Sequence, residues 1–266
     1  MRKQLIAFGL IAFIASLAAA MGTAPQVPPL AEMRGKVQRD LDKLDNEVKS
    51  AARKLSALGL RGDATRALLQ SLYDNNSAVV TAATVSSGGT LVAIQPSTYR
   101  KSEGQNISDQ EHFPQLKQTG RPVLSKMFKT VEGFQAVSLA YPIDLANGER
   151  LGYVSVVFKP DALVRNTLKQ YSAGYVTVEA TALQLDGRII YDKDPLQIGN
   201  MTFSSSAYEA FPSLLALAER MTLEATGSGS YEYTTPLNNI PIGKSAAWTT
   251  IGLHGTDWRL MIAYAK

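Results

Sequence analysis

The sequence predicts an α+β protein, two antiparallel sheets stacked along one long N-terminal α-helix, and three observations lead there. Met33, Val37, Leu41, Leu44, Val48, Ala51, Leu55 and Leu58 recur at steps of four and three, the stripe of a single helix. From Ala78 onward the texture changes to short β-rich runs separated by glycine turns. Those runs follow one order twice, in two units of roughly ninety residues. Each unit reads strand, Gly turn, strand, a long loop bearing Pro, Gly and a helix, then three strands.

Ahead of the helix, Arg2-Lys3 precede an uncharged run, Leu5 to Ala20, that closes on Ala18-Ala19-Ala20. As a helix that run rises only about 24 Å, short of a ~30 Å hydrocarbon core. A cleaved secretory signal over residues 1–20 is therefore expected, with an uncleaved membrane anchor as the alternative. Either one puts the bulk of the chain in the periplasm or outside the cell. A spacer over 21–30 follows, extended from Pro25 to Pro29. No second apolar span and no output domain are visible in the sequence, so any signal is expected to pass to another protein.

The helical segment covers 31–76. Gly59 and Gly62 end the stripe, Asp63 is placed to cap a second helix through Tyr73, and Asn75-Asn76 terminates it. A heptad stripe of this length fits two uses: pairing with a second copy in a homodimer, or lying along the chain's own sheets. The first β-rich unit, 77–172, has strands at Val79–Val85, Thr90–Gln95, Pro122–Phe128, Phe134–Tyr141 and Leu151–Phe158, then a helix from Asp161 to about Tyr171. Its turns are Ser87-Gly88-Gly89, Glu132-Gly133 and Asn147-Gly148. The second unit, 173–266, has strands at Tyr175–Leu185, Arg188–Tyr191, Ser230–Tyr233, Ser245–Gly252 and Trp258–Tyr264. Asp186-Gly187 forms a tight hairpin turn, since Gly adopts positive φ without strain and Asp tolerates it.

Composition excludes several functions. A hydrophobic content of 45% is that of a globular chain with one or two cores. The net charge is +4, and the basic residues of the helical segment are interleaved with acids, so nucleic-acid binding is not supported. Without cysteine there are no disulfides or thiolate metal sites. His112 and His254, the only histidines, lack metal-ligand spacing. Asp186, Asp192 and Asp194 lack the register of a calcium loop and read as turn caps. No nucleophile elbow, GxGxxG or phosphate loop occurs, so neither catalysis nor a cofactor is expected.

The order of motifs resembles a known family. Leu185-Asp186-Gly187-Arg188-Ile189-Ile190-Tyr191, Asp194-Pro195-Leu196-Gln197-Ile198-Gly199, Gly227 to Tyr233, Ala247-Trp248-Thr249-Thr250 and Gly255 to Leu260 follow one another as in the membrane-proximal half of double-Cache sensors. Gly104 to Phe113, Thr119 to Ser125 and Gly152 to Phe158 with Asp161-Ala162-Leu163 resemble the ligand-enclosing parts of the membrane-distal half. The resemblance implies two PAS-like modules outside the cytoplasmic membrane that bind a small organic molecule and catalyse nothing. It also implies a membrane receptor or kinase as partner. The rival reading is a ligand-free interaction module that docks or self-associates through its N-terminal helix.

In the amino-acid-binding subgroup an arginine and an aromatic pair hold the carboxylate and an aspartate holds the ammonium. The resemblance puts the arginine position on Gln110, the aromatic pair on His112-Phe113, a loop aspartate on Gln115, a tyrosine on Phe128 and the closing-strand aspartate on Val157. A buried ammonium without an anion is unstable by several kcal/mol, so a standard amino-acid site is not expected. The candidate ligand-binding residues are Gln110, His112, Phe113, Lys126, Phe128, Tyr141 and Ser155, with Lys126 as a possible partner for an anion. The aromatics of this set equally suit a core, and Lys126 equally suits solvent. Trp248, Trp258 and Tyr233 read as core packing of the second module rather than a ligand cage.

Overall fold

The computed structural model describes residues 29–130, 133–171, 179–234 and 241–265. The expected signal or anchor, most of the spacer, and the start of the strand expected from Tyr175 lie outside the described residues.

Helix α1 runs Leu30–Leu58 and buries Met33, Val37, Leu41, Leu44, Val48, Ala51, Ala52 and Leu55. The stripe is spent inside the chain: α1 packs on strands of both sheets, so self-pairing through it is ruled out as its use. Each fully buried leucine of the stripe contributes about 2 kcal/mol of transfer free energy. Leu58 is the exception at 42% exposed, because the chain turns away at Gly59. Helix α2 is Asp63–Asp74; Gly62 holds the cap position, so Asp63 is the first helical residue and not the cap. There its charge still favours the helix N-terminus. Among the described residues no helix is long and apolar enough to cross a membrane.

The first sheet contains β1 (Val79–Ser86), β2 (Leu91–Gln95), β3 (Val123–Leu124), β5 (Gln135–Asp144) and β6 (Arg150–Phe158) in the order β2-β1-β6-β5-β3, with β4 (Phe128–Lys129) pairing β5 separately. The single strand expected over Pro122–Phe128 is thus broken in two. Helix α3 (His112–Thr119) is the helix expected within the long loop of this unit. Helix α4 (Pro160–Leu168) then leads away, with Pro160 in its first turn where a missing N–H does no harm.

The second sheet contains β7 (Glu179–Gln184), β8 (Ile189–Tyr191), β9 (Gly227–Thr234), β10 (Pro241–Leu253) and β11 (Thr256–Ala265), in the order β8-β7-β11-β10-β9. Substituting β1, β2, β3, β5 and β6 for β7, β8, β9, β10 and β11 reproduces the first sheet's order, so the repeat read from the sequence is a repeat of topology. Every pairing is antiparallel. Helix α5 (Pro212–Leu223) covers the face of this sheet turned away from α1. The β10–β11 hairpin closes through His254 and Gly255, whose φ values of 52° and 83° match the turn that fits strand twist.

Helix α1 is tied to both sheets by hydrogen bonds. Gln38 Nε2 donates to the Gly252 carbonyl (2.9 Å) and Gln38 Oε1 accepts from the Gly252 N–H (3.1 Å). Asp45 Oδ1 accepts from the Tyr141 hydroxyl of β5 (2.7 Å) and meets His254 Nε2 of the second sheet's turn (2.6 Å).

Candidate functional site

Strand alternation gives the first sheet two different faces. On β5, Val137, Leu139, Tyr141 and Ile143 point to α1 and its core. Ser138 and Ala140 point the other way, as do Ala83 of β1 and Tyr153 and Ser155 of β6. On that second face lies a cavity of about 30 Å³, floored by Thr81, Ala83, Ser155 and Val157 and walled by Leu91 and Ile94. Ile107, Gln110, Phe128 and Thr130 close it from above. At that size it holds a water or two and no metabolite.

The wall is polar without being charged. Ser155 Oγ and Ser138 Oγ share a hydrogen bond of 2.8 Å. The Ser138 N–H donates to Ser125 Oγ (2.8 Å), whose own proton goes to the Lys126 carbonyl (2.7 Å). The Thr130 hydroxyl is buried with no hydrogen-bond partner among the described residues, a donor left open at the cavity. Leaving such a group unpaired costs about 1–3 kcal/mol. His112 stacks at 5.3 Å from Phe128. Burial pushes its imidazole down to about 4, so the ring is neutral at physiological pH.

The seven candidate residues separate accordingly. Gln110, Phe128 and Ser155 line the cavity, and His112 stands behind Phe128. Phe113 packs edge-on against Tyr153, ring centroids 5.3 Å apart, as part of the core under α3. Tyr141 is on the wrong face of β5: its hydroxyl serves Asp45 of α1, and burial raises its pKa. Lys126 points to solvent, 58% exposed, where it pairs with Glu111 at 3.6 Å. Neither Tyr141 nor Lys126 reaches the cavity. Of the family-matched positions, Val157 is on the cavity floor and Gln115 is on the exposed side of α3. Thr81, Ala83 and Thr130 also line the cavity, and no motif singles them out. The alternation of Val79–Ser86 would have offered Thr81 and Ala83 together, but nothing local favours their face over the other.

In the second sheet Trp248 and Trp258 are fully buried, on opposite faces, with Tyr233 packed against the cluster that holds Trp248. Asp186, Asp192 and Asp194 accept from the N–H groups of Arg188 (3.1 Å), Asp194 (2.9 Å) and Leu196 (3.0 Å), which is turn capping. No cluster of three or more metal-ligating side chains occurs among the described residues.

Residues 39–160 match the family described as HK/GC/Chemotaxis protein-like, sensor domain. The chain carries a double-Cache sensor fold. An extracellular ligand binding receptor from Desulfohalobium retbaense is 34% identical to it over 88% of the chain, with a TM-score of 0.73. The present chain spans 39% of that receptor. The ligand-binding domain of the Pseudomonas fluorescens chemoreceptor CtaA, in complex with L-serine, shares the fold at 17% identity, covering 88% of this chain and 93% of that one, TM-score 0.63. The periplasmic sensory domain of the Campylobacter jejuni chemoreceptor Tlp1 shares it at 11% identity, covering 89% and 92%, TM-score 0.61. No curated protein matches the sequence. In this double-Cache chain, the cavity lies in the module matched by the family model.

Proposed function

We propose that this chain is an extracytoplasmic sensor that holds a small uncharged molecule against the first sheet and reports its presence to a membrane partner. The observation that carries the reading is the chemistry of the cavity wall: hydroxyls, an amide and apolar groups, with no ionised side chain among the described lining residues. A zwitterion moved into such a site would leave its ammonium without an anion, since Val157 supplies none. A neutral ligand needs only the hydrogen bonds that Gln110, Ser155 and the open Thr130 hydroxyl offer.

The cavity as it stands must widen. Its cover is the part of the module with the least ladder: Ile107 and Gln110 precede α3, a helix of eight residues, and the salt bridge from Glu111 to Lys126 is exposed and weak. Lifting that cover opens the floor without disturbing the face that α1 holds. The smallness of the cavity also favours one rival, a module whose hollow is closed by its own side chains and that works through protein contacts alone.

A thermal-shift screen decides between them. Small neutral compounds (amides, polyols, short alcohols) and zwitterionic amino acids are tested side by side. A neutral binder at a hundred times its Kd stabilises by about 2.7 kcal/mol, and Ser155→Val with Thr130→Val is expected to abolish that shift. A shift produced by zwitterions alone overturns the uncharged class. No shift from any class favours the ligand-free module.

A further inference from the structure

The cavity and the second sheet share one short piece of chain, residues 123–129. Its two strands are only two residues long each, so most of it lies outside any ladder. What holds it instead is a set of side-chain bonds to both sides. Toward the cavity, Phe128 forms part of the cover and Ser125 is bonded to Ser138, the partner of the cavity-floor residue Ser155. Toward the second sheet, the Met127 N–H donates to Gln184 Oε1 (2.6 Å) and the Leu124 carbonyl accepts from Thr256 Oγ1 (2.5 Å).

Gln184 is placed unusually for a long amide. It is 3% exposed, sits at the end of β7, and lies directly opposite Trp258 in the β7–β11 register. Its Nε2 reaches Asp186 in the β7–β8 turn (3.2 Å). Both ends of the amide are therefore engaged, one with the first sheet's segment and one with the second sheet's own turn.

We propose that Gln184 is the coupling residue of the sensor: through segment 123–129 it carries the state of the cavity into the β7–β8 turn of the second sheet. This rests on the ligand-cavity reading above for its purpose. When Phe128 moves to admit a ligand, Met127 moves with it. Gln184 must then either follow, dragging its bond to Asp186, or release a buried N–H, which is unfavourable. Following is the lower-energy course. An apolar residue at 184 would let the segment move alone, because it would have nothing to hold. Thr256 is the second attachment and acts on β11 in the same sense.

The test needs no ligand. Ala83→Val adds bulk at the cavity floor and serves as an internal occupant, and hydrogen exchange is read by mass spectrometry over peptides spanning 184–188 in the full chain. With Gln184 present, Ala83→Val is expected to change exchange there about threefold or more. In a Gln184→Met background the same substitution is expected to leave 184–188 unchanged, while circular dichroism shows both proteins folded. A change in exchange at 184–188 of the same size in the Gln184→Met background overturns the proposal, as does the absence of any response with Gln184 present. Should Gln184→Met fail to fold, Thr256→Val is used with the same criteria. A null result in the ligand screen does not alter any of these outcomes, so the two readings fail separately.

Discussion

The two sheets share a strand order but differ in how the face away from α1 is filled. In the second sheet that face is packed solid by Trp248, Met261, Leu217 and Met221 under the twelve-residue helix α5. The fit at Gly227 is tight enough to require glycine, since a Cβ there would stand 2.2 Å from the Trp248 ring. In the first sheet the same face carries Thr81, Ala83, Ser138 and Ser155 under a shorter helix and a loop. Most of that face is still core, with Val85, Phe113, Leu116 and Tyr153 buried there, but beside them the small hydroxyl-bearing residues leave a cavity of about 30 Å³. The second sheet's face is filled throughout, and the first sheet's keeps a small polar-walled cavity.

Truncating one large aromatic on this face of each sheet therefore gives unequal costs. Trp248→Ala is expected to lower the unfolding free energy by about 4 kcal/mol, read from urea melts. Phe128, half-buried at the cavity rather than packed in a core, is expected to cost only about 1–2 kcal/mol on the same change. Equal losses would mean that the first sheet is as tightly filled as the second.

The next test uses pH. His112, behind the cavity cover, has its pKa pushed from 6.5 to about 4 by burial, so the folded protein refuses a proton that the unfolded chain accepts. Stability contributed by the neutral ring is therefore full above the unfolded value and falls as pH drops from 6.5 toward about 4. The loss is about 3 kcal/mol over that window. His112→Gln should lack this component, and urea melts at the two ends of the window measure it. A variant with the same acid sensitivity as the parent would show that His112 is reached by water.

The smallest effect is expected outside both faces. Lys126→Ala removes an exposed pair with Glu111 and should change stability by less than about 0.5 kcal/mol. Ligand-induced thermal shifts should be unaltered. A lost shift would put Lys126 back in the site.

Much of the fold was legible because its signals are periodic or steric. The stripe from Met33 to Leu55 could only be one face of a helix, and Asp186-Gly187 and His254-Gly255 could only be turns. The site was legible in part. Gln110, Phe128 and Ser155, singled out by their place in the motif order, line the cavity, whereas Tyr141 does not, and β5 is buried on both sides along most of its length. When both faces are apolar, alternation says that two faces exist but not which one is hollow. The repeat order calls for a helix within the long loop of each unit, and α3 is that helix in the first unit, with Pro114 in its first turn where proline is tolerated. Lys126 was ambiguous for another reason: a long cationic side chain on a short strand can point either way until its neighbours are known.

Helix α1 meets the second sheet at Gln38 and both sheets at Asp45, seven positions further on. That spacing works like the teeth of a gear. Inserting one residue between the two points would rotate everything beyond it by about 100° and swing Asp45 away from both of its partners. Even a whole heptad, which restores the angle to within about 20°, would carry the carboxylate about 10 Å along the axis and out of reach of both partners. The length of the rod between these two points is thus fixed in both angle and rise, and it sets how far apart its attachments to the two sheets stand.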